Sequence, residues 1–437
     1  MTITVAIIGS GPAGFYAADA IVKSVDNPVI DIIERLPTPY GLIRGGVAPD
    51  HQTTKKVAKK FEKTALGDGI QYFGNVEVGR DVTLDELREI YDVVILAVGA
   101  PADRVLSIPG SDKIGVHGSA AFVGWYNGHP DFVELDPDLN VEAAVVIGNG
   151  NVALDIARVL VRSNSGRART DLPPYARGAM DTSPIKDVHV LGRRGPLEAK
   201  FTNVELREML ELTEAAPVVD ASHLPGSVPD DMDDRERRLA ERNLETLRAF
   251  SERDPNSMPK RAHFGFYAMP VEILGGERVE GIRIERTKVE GGNAVGTGET
   301  FDIPCGLVVA AIGYRADPIP GLPYDEKRGI IPNDAGKIDG GLYAVGWIKR
   351  GPSGVISSSR PDGAEVAEHI VRDFPSGGSK PGRDALSGLL DERGVRVVHF
   401  EDWKRLETEE EARAAQPQPR EKFTAIDDMI DHLEERG

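Results

Sequence analysis

Two glycine-rich turns, each set between a short apolar run and a helix-forming stretch, predict an α/β fold in which one parallel-sheet module is nested inside another. The first turn is Gly9-Ser10-Gly11-Pro12-Ala13-Gly14, after apolar residues 5–8. The second is Gly148-Asn149-Gly150-Asn151-Val152-Ala153, after residues 145–147. The nesting rests on a third observation. Residues 93–98 close in Gly99-Ala100 and residues 307–312 close in Gly313-Tyr314, both with the form apolar run, Ala-x-Gly. A phrase repeated at the end of each module marks where the chain crosses between them. The simplest arrangement has an outer module over residues 1–104 and 309–374, an inner one over 105–308, and an acidic C-terminal extension over 375–437.

Each element, taken in chain order, bears on ligand chemistry. Gly9, Gly11 and Gly14 allow a tight strand-to-helix turn and close approach of a pyrophosphate to the helix N-terminus, the Rossmann-like arrangement. The next strand, residues 30–33, ends in Glu34, a carboxylate able to accept hydrogen bonds from a ribose diol. Residues 36–50, LPTPYGLIRGGVAPD, make a rigid irregular loop that reads either as a structured crossover or as backbone lining a ring system. His51 follows, as a proton relay or as a structural histidine. Lys55, Lys56, Lys59, Lys60 and Lys63 recur at helical spacing; such a face is either merely solvated or able to steer an acidic partner.

After the second turn, the strand 188–191 ends in Gly192-Arg193-Arg194, where paired guanidiniums suit a ribose 2′-phosphate and suit a bare diol poorly. Residues 230–253 carry both charges, with Leu239, Leu244, Leu247 and Phe250 at helical spacing, and predict a surface amphipathic helix. Residues 346–356, GWIKRGPSGVI, place a glycine-rich turn before a further helix. Trp347 in that turn is a core residue or a flat wall for stacking. Residues 376–382 read as a linker, and the acidic tail beyond them as surface helices without chemistry. The two strand ends differ in kind: Glu34 suits FAD or NAD, and Arg193 with Arg194 suits NADP. A chain holding both suggests a flavoprotein that exchanges hydride with NADPH.

Composition narrows the class. A chain of 437 residues with 40% hydrophobic content supports about three domains or fewer. Cys305 is the single cysteine and reads as a buried inert thiol; an intramolecular disulfide, a CxxC pair and a Cys₄ cluster held by one chain are excluded. No apolar run approaches the roughly 20 residues of a membrane span. The opening MTITVAIIG reads as a strand rather than a signal peptide, so a cytoplasmic protein is expected. A net charge of −18 argues against nucleic acid as a general partner. The histidines show no ligand spacing, so no metal is expected.

With these motifs in hand, the chain resembles the bacterial adrenodoxin-reductase-like ferredoxin–NADP(+) reductases over about residues 3–372. The marks are LPTPYGLIRGGVAPDH at 36–51, GNGNVALDIAR at 148–158, GRRGPLEAKFTNVELRE at 192–208, and GWIKRGPSGVI. The resemblance implies two nested dinucleotide-binding domains with central parallel sheets, bound FAD, NADP, and electron flow to an iron–sulfur ferredoxin. By motif it implies that Gly14, Glu34, Leu42, Val76, Trp347, Gly354, Val355 and Ile356 bind FAD. It implies that Arg104, Asn151, Val152, Ala153, Leu154, Arg193, Arg194 and Glu205 bind NADP, with Gly354 also near it. His51 and Glu208 are then the proton-handling residues where flavin and nicotinamide meet. Tyr40 stands where many members carry Trp. An acidic ferredoxin is expected to dock on the lysine face or, failing that, at Lys349 and Arg350. Two other readings share these residues: an FAD-dependent NADPH oxidoreductase of a small quinone or nitro acceptor, and a non-catalytic flavin-binding subunit of a larger redox complex.

Overall fold

The computed structural model describes residues 2–229 and 232–435. Its first four strands are β1 (Thr4–Ile8), β2 (Val29–Glu34), β3 (Ile70–Gly74) and β4 (Val93–Leu96). They pair in parallel in the order β4-β1-β2-β3. Their continuous apolar runs reflect a sheet covered on both faces: every residue of β1 is buried. A short β5 (Ala102–Asp103) then leads away to β6 (Val116–Gly118), β7 (Ala143–Ile147), β8 (Asp187–Leu191), β9 (Ala215–Val219) and β10 (Lys260–Gly265).

An antiparallel meander of β11 (Ala268–Leu274), β12 (Gly281–Glu290) and β13 (Asn293–Pro304) precedes β14 (Leu307–Ala310). The second sheet runs β6-β14-β7-β8-β10-β9. The chain returns through β15 (Tyr314–Arg315), β16 (Lys337–Asp339) and β17 (Leu342–Ala344), and β17 joins β4 in parallel to complete the first sheet. The outgoing and returning crossovers pair with each other, Tyr314 opposite Asp103 and Arg315 opposite Ala102.

Three expectations need correction. A boundary between residues 308 and 309 would cut β14 in half. Pairing of Leu307 with Ala144 and of Ala310 with Ile147 instead puts the whole strand in the second sheet. The crossing follows the Ala-x-Gly phrase, as it does after β4. Second, the amphipathic helix spans Asp234–Ser251, started by the Asp233 carboxylate, which accepts from the Arg235 and Glu236 amides. Leu244, Leu247 and Phe250 are buried, but Leu239 is exposed; Asp230, the first residue of the expected segment, lies outside the described residues.

Third, the C-terminal segment is no surface appendage. Leu386 and Leu390 join the core on one side of the first sheet; Phe400, Trp403, Leu406 and Met429 join the core on the other. It also satisfies buried charge. Asp31, in the middle of β2, has no exposed surface, and Arg383 Nε donates to its Oδ1 at 2.6 Å. A buried carboxylate is tolerated only when so paired, which charge composition alone does not reveal.

Candidate active site

Both glycine turns are built on one plan. Gly9 N–H donates to the Ile33 carbonyl and Gly148 N–H to the Leu191 carbonyl, each at 2.8 Å. Ala97 N–H donates to Ile8 and Ala311 N–H to Ile147, again at 2.8 Å. Gly9 and Gly148 have φ of +108° and +141°, and a side chain on either would strike the backbone carbonyl of Ala97 or Ala311. The Ala-x-Gly echo thus has a physical cause, since each alanine carbonyl closes against the first glycine of its turn.

At Gly11 and Gly150 an added Cβ would meet nothing within 4 Å. These two residues precede helices Pro12–Ser24 and Asn151–Val161, neither of which has a side-chain cap or an acidic residue in its first turn. Helix Leu84–Ile90, by contrast, is closed by a capping box of Thr83 and Glu86. The two bare N-termini present unsatisfied N–H groups and the positive end of the helix dipole to an anion.

The residues expected around FAD converge on the first of these termini. Glu34 Oε2 accepts from Ser10 N–H at 3.0 Å and Ser10 Oγ at 2.8 Å, so its carboxylate is held beside the turn. Val76 is buried next to it, its amide donating to the Glu34 carbonyl. Tyr40 N–H donates to the Ser10 carbonyl at 3.0 Å, which brings the 36–51 loop over the turn. The next element, helix Leu42–Gly45, leaves Leu42 46% exposed. From the other side Gly346 packs against Ala13. The Ser353 carbonyl accepts from Trp347 Nε1 at 3.2 Å and from Arg350, fixing the turn that carries Gly354, Val355 and Ile356. Val355 is 54% exposed. Gly14 has a packing role, since a side chain there would strike the Gly9 carbonyl.

The second terminus gathers the residues expected around NADP. Arg104 N–H donates to the Gly313 carbonyl at 3.0 Å, beside the second turn. Lys200 N–H donates to the Asn149 carbonyl, and Thr202 N–H to Asn151 Oδ1 at 2.8 Å. Asn151 therefore ties the turn to helix Asn203–Glu208. Ala153 and Leu154 have no exposed surface and belong to the second-sheet core; Val152 is half-buried. The Arg193-Arg194 backbone is pinned by Thr287 Oγ1, donating to the Arg193 carbonyl at 2.7 Å, and by Tyr267 N–H on the Arg194 carbonyl. The Arg193 guanidinium has no partner among the described residues. Arg194 Nη1 reaches only the Gly292 carbonyl, at 3.3 Å.

Between the two termini lies a charge cluster joining the modules. His51 Nε2 is 2.6 Å from Glu208 Oε2 and 3.3 Å from Glu205 Oε2. Arg158, almost wholly buried, donates from Nε to Asp50 Oδ2 at 2.6 Å and from Nη2 to Asp155 Oδ1 at 2.8 Å. Burial alone would raise the Asp50 carboxyl, but Arg158 and Arg162 bring it down to about 2. Burial would lower His51, yet Glu208, Asp155 and Asp50 leave it above its ordinary value. Arg158 Nη2 also lies 2.6 Å from His51 Nε2, and one ring nitrogen cannot both accept from Arg158 and donate to Glu208. The raised affinity for a proton favours donation to Glu208.

Burial also raises Glu205, with Asp155 adding to it. Glu205 Oε2 and Arg158 Nη1 are buried without a hydrogen-bond partner, one acceptor and one donor 3.9 Å apart. His51, Glu205 and Glu208 also offer three metal-ligand atoms within 4.8 Å of one another, a juxtaposition their sequence spacing did not suggest. The Arg158 guanidinium, 3.3 Å from Glu208, already supplies positive charge there. Sequence reasoning missed Arg158, Asp50 and Asp155. The available signal was a lone arginine inside the apolar stretch 152–161.

Comparison with known proteins places this geometry. The family model described as pyridine nucleotide-disulphide oxidoreductase matches residues 3–213. Human mitochondrial NADPH:adrenodoxin oxidoreductase is 42% identical over 453 residues, covering 98% of this chain and 91% of its own. NADPH-ferredoxin reductase FprA of Mycobacterium tuberculosis is 40% identical over 450 residues, covering 98% of both. The structure of that FprA in complex with NADPH superposes with a TM-score of 0.95 at 39% identity, over 99% of this chain and 100% of the other. The chain belongs to the adrenodoxin and ferredoxin reductase family.

The residues present fit the two nucleotides of that family. The bare helix N-terminus behind Gly11 with Glu34 suits the pyrophosphate and ribose of FAD. The terminus behind Gly150 with Arg193 suits a 2′-phosphorylated nucleotide. Arg158 Nη1 and Glu205 Oε2 offer the donor and acceptor that a carboxamide needs. The disulphide chemistry in the family model's description has no counterpart, because Cys305 is buried and its thiol is pushed up to about 12 by desolvation.

The basic face is smaller than expected. Lysines 55–63 do not share one helix, since Gln52–Lys55 and Ala58–Ala65 are separate helices. Lys55 is tied inward to Asp171 at 2.7 Å. Lys60 lies over the Tyr16 ring and pairs with Asp19. Lys56, Lys59 and Lys63 are exposed and without an ion-pair partner among the described residues. Lys349 and Arg350 are no alternative, because the buried Asp362 carboxylate holds both.

Proposed function

We propose that this protein is an NADPH–ferredoxin reductase that moves electrons from NADPH through FAD to an iron–sulfur ferredoxin. The observation that carries the reading is the pair of bare helix N-termini with opposite strand-end chemistry, Glu34 at one and Arg193 with Arg194 at the other. FAD, when bound, supplies the link between two-electron hydride chemistry and single-electron transfer. The chain's own residues position and tune. Arg193 and Arg194 bind the 2′-phosphate. Arg158 and Glu205 orient the carboxamide end. Asp50 and Arg158 hold the two modules in register, and His51 with Glu208 holds a proton at Nε2 beside the transfer site. We draw the domain boundaries at the β5·β15 ladder. Lys56, Lys59 and Lys63 form the candidate docking face for an acidic ferredoxin.

No helix among the described residues is long and apolar enough to cross a membrane. We place the activity in the cytoplasm, as an extension of the likeness to a bacterial reductase.

The test is an anaerobic titration of the purified yellow protein, followed by flavin absorbance, first with NADPH and then with NADH. Bleaching at stoichiometric NADPH and far weaker response to NADH is expected. NADPH-driven cytochrome c reduction that requires added ferredoxin completes the assignment. Equal turnover with quinone alone would replace it with the quinone reading.

A further inference from the structure

The C-terminal segment meets the 36–51 loop at one residue, Arg44, and surrounds it. Arg44 Nη1 and Nη2 donate to Glu410 at 2.8 and 2.5 Å. Nη2 also reaches the Phe423 carbonyl at 3.4 Å, and the guanidinium lies 5.2 Å over the Trp403 ring. Lys422 Nζ donates to the Arg44 carbonyl at 3.2 Å and to the Asn127 carbonyl at 2.9 Å. Trp403, fully buried, meets Tyr40 edge to face at 6.0 Å. Glu410, also fully buried, accepts from Phe423 N–H at 2.8 Å.

These contacts matter because of what Arg44 carries. Helix Leu42–Gly45 has four residues, one turn, too few to hold its own shape. Tyr40, just before it, has φ +82°, a conformation that a non-glycine residue keeps only when its surroundings impose it. A bidentate carboxylate, a tryptophan face and a lysine, all from the tail, supply that restraint. A carboxylate buried this deeply would be costly if its arginine were elsewhere, so Glu410 and Arg44 fix each other.

We propose that residues 399–423 are a clamp that holds the loop 40–45 in its FAD-binding conformation, with Glu410 and Trp403 acting as positioning residues through Arg44. This rests on the FAD reading above.

The experiment uses the full chain, deflavinated and reloaded, as wild type and as Glu410→Gln. Flavin fluorescence gives FAD affinity, amide hydrogen exchange reports residues 40–47, and 2′,5′-ADP probes the second nucleotide site. FAD binding weaker by roughly tenfold, with faster exchange at 40–47 and unchanged 2′,5′-ADP affinity, is expected. Unchanged FAD affinity and loop exchange overturn the clamp, as does equal weakening at both sites, which would mark Glu410 as a general stabiliser. Trp403→Phe keeps a ring in the core, so a folded variant is available if Glu410→Gln is not. It is expected to shift FAD affinity in the same direction by a smaller factor, and no shift overturns the proposal. A wild-type chain that takes up no FAD removes the cofactor reading itself and the clamp with it.

Discussion

The two glycine turns share every backbone contact and differ at two side-chain positions. Both seal their first glycine against the carbonyl of an Ala-x-Gly phrase, and both leave a helix N-terminus uncapped. The first needs glycine at its sixth position, because Gly14 packs against the Gly9 carbonyl; the second accepts Ala153 there. The first ends its next strand in Glu34, the second in Arg193 and Arg194. Anion binding therefore comes from backbone geometry common to both, and the choice of nucleotide comes from one strand end.

The largest effect is expected from breaking the packing difference. Gly14→Ala places a methyl group on a backbone carbonyl and should cost about 1–3 kcal/mol together with most of the bound flavin. Ala153→Gly should cost only about 0.5–1 kcal/mol. Thermal melts and flavin content measure both, and equal costs would show that the two turns pack alike.

Next is the strand end. Arg193→Ala should weaken NADPH binding by about 1.5–3 kcal/mol and leave NADH nearly unchanged. Arg194→Ala should cost less, because part of its donor capacity already goes to the Gly292 carbonyl. Isothermal titration with both nucleotides decides. Loss of affinity for both to the same degree would make the arginines structural.

A smaller effect sharpens how the two turns are coupled. His51 has a folded-state proton affinity raised above the ordinary value of 6.5. Its protonated contact with Glu208 therefore contributes fully below about pH 6.5 and is lost as pH rises through the raised value. Stopped-flow reduction of the flavin by NADPH should change across that window, and His51→Gln should flatten the profile. A wild-type profile in the variant would assign the titration to another group.

The smallest effect concerns the partner. Lys56→Glu with Lys59→Glu should slow ferredoxin-dependent cytochrome c reduction by several-fold at low salt and reduce its salt dependence, leaving direct flavin reduction intact. An unaltered ferredoxin-dependent rate would move docking to another face.

The fold class, both nucleotide turns and the nucleotide each selects were legible in the sequence. Those features depend on local chemistry: a strand, a glycine that clears a carbonyl, and the residue at the next strand end. The Ala-x-Gly echo was legible as a repeat, but its cause was not, because the carbonyl it presents to Gly9 or Gly148 lies 88 or 163 residues away in the chain. The junction cluster was half legible. His51 and Glu208 were named, whereas Arg158 and Asp50, which hold them, stood unmarked inside motifs.

Charge was the property read least well. Five lysines at helical spacing looked like one face until a break in the helix and the buried Asp171 divided them. The acidic tail looked solvated until Glu410 and Arg383 were found paired with Arg44 and Asp31. Sequence by itself determined which residues can turn, cap and bind, because backbone sterics and periodicity act over a few neighbours. Only the tertiary structure decided which charges face water and which face each other, because an ion's partner and its burial are set by contacts hundreds of residues apart.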